Sequence, residues 1–178
     1  MPMKKTMEFS LKSNGGEIEK LERKSSNFLK YHGYSGDTIQ AQIMILKELI
    51  ISGQKVDDLN PSEFEMSVHL HIEDNTITVE VTKSICESAY GKLEELDKTI
   101  QWIRGCQDPL EHYMINLPEA SGASSMAGTD GLELVRIAHE ADAIIDFYVS
   151  EDNVLNLSAV SNLNAEKLNQ RPPAELGV

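Results

Sequence analysis

Residues 66–82 read Met66-Ser67-Val68-His69-Leu70-His71-Ile72-Glu73-Asp74-Asn75-Thr76-Ile77-Thr78-Val79-Glu80-Val81-Thr82. Met66, Val68, Leu70 and Ile72 alternate with Ser67, His69, His71 and Glu73. Ile77, Val79 and Val81 alternate with Thr78, Glu80 and Thr82. A period of two sends every second side chain to the same face, so each run is a half-buried strand. Asp74-Asn75 between them is a tight turn, which makes the pair an antiparallel β-hairpin. The sheet therefore has one apolar face and one wet face.

Working outward, Met7 to Leu11 reads as a short strand. Glu17 to Tyr34 is an amphipathic helix with Ile18, Leu21, Phe28 and Leu29 on one stripe, broken by Ser35-Gly36. Asp37 is placed to cap a second helix, with Gln40 in the capping-box position. That helix, Asp37 to Ser52, carries Ile39, Ile43, Met44, Leu46, Leu49, Ile50 and Ile51, and Gly53 is expected to end it. Apolar nearly all round, it is expected to be the central helix. Tyr90, Leu93, Leu96, Ile100 and Ile103 predict a helix up to Gly105, and Pro109 to Leu117 a shorter one. After a Ser/Ala/Gly-rich stretch, Ala120 to Ala127, a helix carries Leu132, Leu134, Val135, Ile137, Ala138 and Ala141. Ile144 to Val149 and Val154 to Val160 are strands joined at Glu151-Asp152-Asn153. Hairpins and helices in runs, without alternating βαβ units, predict an α+β two-layer sandwich: a mostly antiparallel sheet covered on one face by helices. Residues 1–163 are expected to form one domain and 164–178 a polar, disordered tail.

The bulk properties narrow the function classes. The 178-residue chain is 40% hydrophobic and 25% charged, ordinary values for a globular domain. Its net charge is −13, and its one small basic cluster is Met3-Lys4-Lys5. Nucleic acid and anionic membranes need a concentrated basic face, so neither is expected as a partner; a cationic protein would be steered well. No run approaches the length of a membrane span, and the N-terminus lacks the apolar core of a signal peptide, so a soluble, cytoplasmic protein is expected. Cys86 and Cys106 are expected as buried free thiols. His69 and His71 share a strand face at a metal-capable spacing, but no Cys or further His within obvious reach completes a site, and the pair reads as exposed or satisfied.

Gly128-Thr129-Asp130-Gly131-Leu132-Glu133-Leu134-Val135 opens the helix that follows the Ser/Ala/Gly-rich stretch. Glycines let a backbone come close to a ligand, and the free N–H groups of a helix start face an anion. That lid, placed before the last helix in this order of elements, resembles the GHKL (Bergerat) ATPase superfamily, a histidine-kinase-like ATPase fold. Length and the initial β-α-α order look most like its anti-sigma-factor serine kinases and SiaB-like domains, over about residues 7 to 161.

The resemblance implies site residues. The family's second helix carries a Glu as general base, four residues before an Asn that ligates Mg²⁺; the matching positions are Glu48 and Ser52. A Ser is a weaker ligand for a hard cation. Gly128, Thr129, Gly131 and Leu132 match the nucleotide-binding lid. The family's adenine-binding Asp, followed by glycines, has Lys83 in its place, and the next glycine is Gly91. An ammonium cannot accept the adenine amino hydrogen. A carboxylate from Glu80 or Glu87 would restore that contact. The Thr of the family's final hairpin is absent at Asn153-Val154-Leu155.

Two functions follow as expectations. One is a regulatory interaction domain of the partner-switching type, with an eroded ATP site, that binds a STAS-domain antagonist or a sigma-like factor. The other is an active ATP-dependent protein serine kinase that phosphorylates a STAS-domain protein, with ATP and Mg²⁺ as cofactors. The resemblance also implies a homodimer.

Overall fold

β2 (Glu65–Glu73) and β3 (Thr76–Ser84) form the expected hairpin, with Asp74 at φ 49° in its turn and Val68 opposite Val81. The computed structural model describes residues 3–12, 16–56, 65–108, 111 and 131–163. β1 (Lys5–Lys12) pairs with β2, and β4 (Ala143–Val149) pairs with β5 (Val154–Asn162), which lies against β3. Every pairing is antiparallel, and the strand order is β1-β2-β3-β5-β4.

Four helices complete the described part of the chain: α1 (Gly16–Tyr31), α2 (Gly36–Val56), α3 (Tyr90–Gly105) and α4 (Leu132–Glu140). Met66, Val68, Leu70, Ile77, Val79 and Val81 are buried toward them, as are Leu155, Leu157 and Ala159 of β5. Among the described residues no helix lies on the sheet's other face. The architecture is the expected α+β two-layer sandwich. α2 is its centre: Ile45, Leu46 and Leu49 are fully buried, each side chain contributing about 1.5–3 kcal/mol of apolar transfer.

The helix ends differ from the sequence reading, each for a local reason. α1 stops at Tyr31, three residues short of Tyr34, because Gly33 turns left-handed at φ 79°. Gly33 N–H then reaches Lys30 O at 2.9 Å and Tyr34 N–H reaches Leu29 O at 3.2 Å, a Schellman closure with Tyr34 and Leu29 both buried. Ser35, not Asp37, caps α2: its Oγ accepts from Thr38 N–H at 3.3 Å, and its carbonyl accepts from Ile39 N–H at 3.0 Å. Gly53 does not end α2, which continues to Val56. A Cβ on Gly53 would lie 3.4 Å from Met66 Cε, so this glycine marks the close approach of helix to sheet.

The region of the expected helix at Pro109–Leu117 lies outside the described residues apart from Glu111, and the tail from 164 lies wholly outside them. Among the described residues no helix is long and apolar enough to cross a membrane. Both cysteines are free; Cys86 is exposed, contrary to expectation, and Cys106 is half-buried.

Candidate functional site

Glu48, Ser52 and Lys55 sit at i, i+4 and i+7 on α2, a spacing that puts them on one stripe of the helix. Glu133, Arg136 and Glu140 make a similar stripe on α4, at i, i+3 and i+7. The two stripes meet. Glu48 Oε1 lies 2.5 Å from Arg136 Nη1, and Lys55 Nζ is ion-paired with Glu133. Later residues of α2 thus meet earlier residues of α4, so the helices run antiparallel along the seam. Arg136 Nε also reaches back to Glu140 Oε1 at 3.3 Å.

The electrostatics follow from how little water enters. Glu48 is only 7% exposed, and Ser52, one turn later, is also buried. Burial raises the Glu48 carboxyl above its ordinary value; Arg136 pulls it down, Glu133 and Glu140 push it up again, and Lys55 opposes them. The Arg136 guanidinium is held above its ordinary value, first by its hydrogen bond to Glu140. Glu133 Oε2 is buried without a hydrogen-bond partner among the described residues. Sequence reasoning missed Arg136, Glu133 and Lys55. The charged stripe at 133, 136 and 140 was the available signal.

Gly131 immediately precedes α4 as its N-cap, at φ −109°, with no side-chain cap, and Leu132 is the first helical residue, packed against the core. The structure therefore brings Glu48 and Ser52 to the helix that Gly131 and Leu132 open. Gly128, Thr129, Asp130 and the stretch 120–127 lie outside the described residues.

Lys83, the penultimate residue of β3, stands two residues after Val81, which puts it on the helix-facing side, half-buried. Glu80 has the opposite parity: it pairs with His69 on the uncovered face, so it does not stand in for the missing carboxylate beside Lys83. Glu87 is exposed in the short 3₁₀ turn that follows. A Cβ on Gly91 would meet no described residue within 4 Å. Asn153 acts as a clip in the β4–β5 turn. At φ 56° its Oδ1 accepts from Tyr90 Oη at 2.7 Å and its carbonyl accepts from Ile85 N–H at 2.9 Å.

His69 and His71 stack with ring centroids 5.9 Å apart, and His71 Nδ1 is hydrogen-bonded to Thr6 Oγ1 at 3.0 Å. Among the described residues no three His, Cys, Asp or Glu side chains converge to hold a metal. No protein-family model matches the chain, and no curated protein matches it.

Proposed function

We propose that this chain is a regulatory protein-interaction domain of the partner-switching type, GHKL-like in layout, cytoplasmic, and without efficient phosphoryl transfer. The observation that carries the reading is the Glu48–Arg136 pair. A carboxylate that is to take a proton from a hydroxyl needs a free lone pair facing that hydroxyl. Here the carboxylate in the matching position is buried and turned to a guanidinium of α4. Lys83 on the helix-facing side of β3, with Glu80 on the other face, supports the same reading, since an adenine amino group needs an acceptor. The partner class, a STAS-domain antagonist or a sigma-like factor, comes from the resemblance, as does a homodimer.

One observation favours the alternative, an active ATP-dependent serine kinase. Burial raises the proton affinity of Glu48, the direction a general base requires. In that reading Glu48 is the base, Ser52 helps hold Mg²⁺, and Gly128, Thr129, Gly131 and Leu132 face the phosphates.

Calorimetric titration of ATP and ADP, with and without Mg²⁺, separates the two. The interaction-domain reading expects no binding up to millimolar nucleotide. Micromolar, Mg²⁺-dependent binding that weakens in Gly131→Ala and Glu48→Ala, together with serine phosphorylation of a STAS-domain protein, would overturn it in favour of the kinase.

A further inference from the structure

The sheet face opposite the described helices takes no part in the α2–α4 seam. Register aligns its outward residues in rows across all five strands. One row reads Glu8, His69, Glu80, Ser158, Asp146. Neighbouring strands lie about 4.8 Å apart, so three carboxylates stand on alternate strands at intervals of about 10 Å. Exposed Asp74 in the β2–β3 turn, and Glu151 and Asp152 in the β4–β5 turn, extend this acidic character to the ends of the sheet.

The helical layer is arranged differently. Its four helices carry ten Asp and Glu against ten Lys and Arg; Glu17, Glu22, Glu48, Glu95, Glu133 and Glu140 pair with a cation, and Glu19, Asp37, Glu94 and Asp97 make no ion pair with another described residue. On the sheet side, Asp146 pairs with Arg104 at 3.2 Å, whereas Glu8, Glu80, Asp74, Glu151 and Asp152 make no ion pair with another described residue. The strands and their two hairpin turns carry eight Asp and Glu against Lys5, Lys12 and Lys83, so the unbalanced negative charge of these elements lies on the sheet side and not in the helices.

The face, not the edges, is open to a partner. On β1, Lys24 Nζ donates to Glu8 O at 2.8 Å; on β4, Arg104 Nη2 donates to Ile145 O at 2.8 Å. A cation from a helix therefore occupies a main-chain carbonyl on each edge strand, which hinders strand addition there. Beside the acidic row, Tyr148 is 61% and Ile144 59% exposed. Tyr148 Oη accepts from Asn156 Nδ2 at 3.0 Å, which fixes its ring on this face.

We propose that the open sheet face docks a cationic surface of a second protein. Its Lys or Arg side chains seat on the row Glu8, Glu80 and Asp146, and its apolar anchor packs on Tyr148 and Ile144. Charge selects the occupant. A second copy would set one acidic face against another, and nucleic acid or anionic lipid would be repelled. This inference rests on the reading of the chain as a partner-binding domain, and adds the charge of the partner and the face that receives it.

The test uses the full chain and a fluorescein-labelled deca-lysine peptide, read by anisotropy at low salt. The triple variant Glu8→Gln, Glu80→Gln, Asp146→Asn is expected to weaken binding by about tenfold. The matched helical triple Glu19→Gln, Glu94→Gln, Asp97→Asn makes the same charge change on exposed helix positions and is expected to leave affinity within about twofold. Circular dichroism and melting verify that both triples are folded. Equal weakening by the two triples, or no binding by the parent chain, would overturn the proposal. So would spermine binding as tightly as the peptide, which would assign the row to a small polyamine. Sedimentation showing a dimer that the sheet triple dissociates would assign the face to a second copy. Nucleotide binding is not read by this assay, so either proposal can fail without the other.

Discussion

Glu48 Oε1 on the central helix and Arg136 Nη1 on the last helix lie 2.5 Å apart, across 88 residues of sequence. This contact, with Lys55–Glu133 one step along the seam, ties α4 to the core helix through charge, while Leu134, Val135 and Ile137 tie it through apolar burial. α4 is only nine residues long, too short to be stable by itself, so its stability comes from these contacts.

Arg136→Ala removes the cation and leaves a buried carboxylate. A fully buried pair broken this way costs about 3–5 kcal/mol. The Arg136 side chain is 40% exposed, so water takes up part of the loss, and about 1–2 kcal/mol is expected. Urea denaturation at neutral pH measures it. An unchanged midpoint would show that the pair contributes nothing to stability.

The pH dependence follows from the raised Glu48 carboxyl. Because its folded value lies above the unfolded one, the folded state holds a proton where the unfolded state has lost it. The resulting stabilisation is fully present below the ordinary carboxylate value of 4.5, and is lost as pH rises through the folded value. Glu48→Gln removes this dependence. The stability of the parent chain relative to Glu48→Gln should therefore decline from pH 4 upward and then level off. Parallel profiles for the two proteins would refute the assignment.

The strands were legible because alternation survives any tertiary context in which one sheet face is buried: Met66, Val68, Leu70, Ile72, Ile77, Val79 and Val81 fall on the core side without exception. Helix identity was legible for the same reason at a different period. Helix ends were not. Ser35-Gly36 and Gly53 look like stops in a string of letters and Gly33 does not, but Gly33 supplies a left-handed turn, Ser35 a cap and Gly53 a close contact with Met66. The i, i+4 relation of Glu48 and Ser52 needed only helical periodicity. Arg136 opposite Glu48 needed the packing of two helices far apart in sequence, and no local pattern encodes that distance.

Gly53 gives a test with an uncommon sign. Glycine inside a helix costs about 1 kcal/mol relative to alanine, and the nearest atom to an added Cβ is the flexible end of Met66 at 3.4 Å. Gly53→Ala should therefore stabilise by about 0.5 kcal/mol. Gly53→Leu should destabilise by about 1–3 kcal/mol, because the added atoms press into Met66 and Val81. Thermal melts of the two variants decide it; a destabilised alanine variant would mean that Met66 cannot shift.

The start of α2 separates two candidate caps. Ser35→Ala loses the acceptor for Thr38 N–H and should cost about 1 kcal/mol. Asp37 lies in the first turn, where its charge only favours the helix dipole, so Asp37→Ala should cost about 0.3–0.5 kcal/mol. A larger loss at Asp37 than at Ser35 in chemical denaturation would reverse the cap assignment.

Asn153 combines two roles that substitutions can pull apart. Its left-handed backbone at φ 56° suits Asn or Gly and strains Ala, while its side chain accepts from Tyr90 Oη. Asn153→Gly keeps the backbone and loses the side-chain bond, as Tyr90→Phe does, so each should cost about 0.5–1 kcal/mol, reduced by the exposure of the site. Asn153→Ala adds the backbone strain and should cost about 1 kcal/mol more than Asn153→Gly. The bond joins the β4–β5 turn to the first residue of α3, so the Asn153→Gly, Tyr90→Phe double variant should lose no more than either single variant. Additive losses in that cycle would mean that the two residues act separately and that the clip is held by the Ile85–Asn153 backbone bond alone.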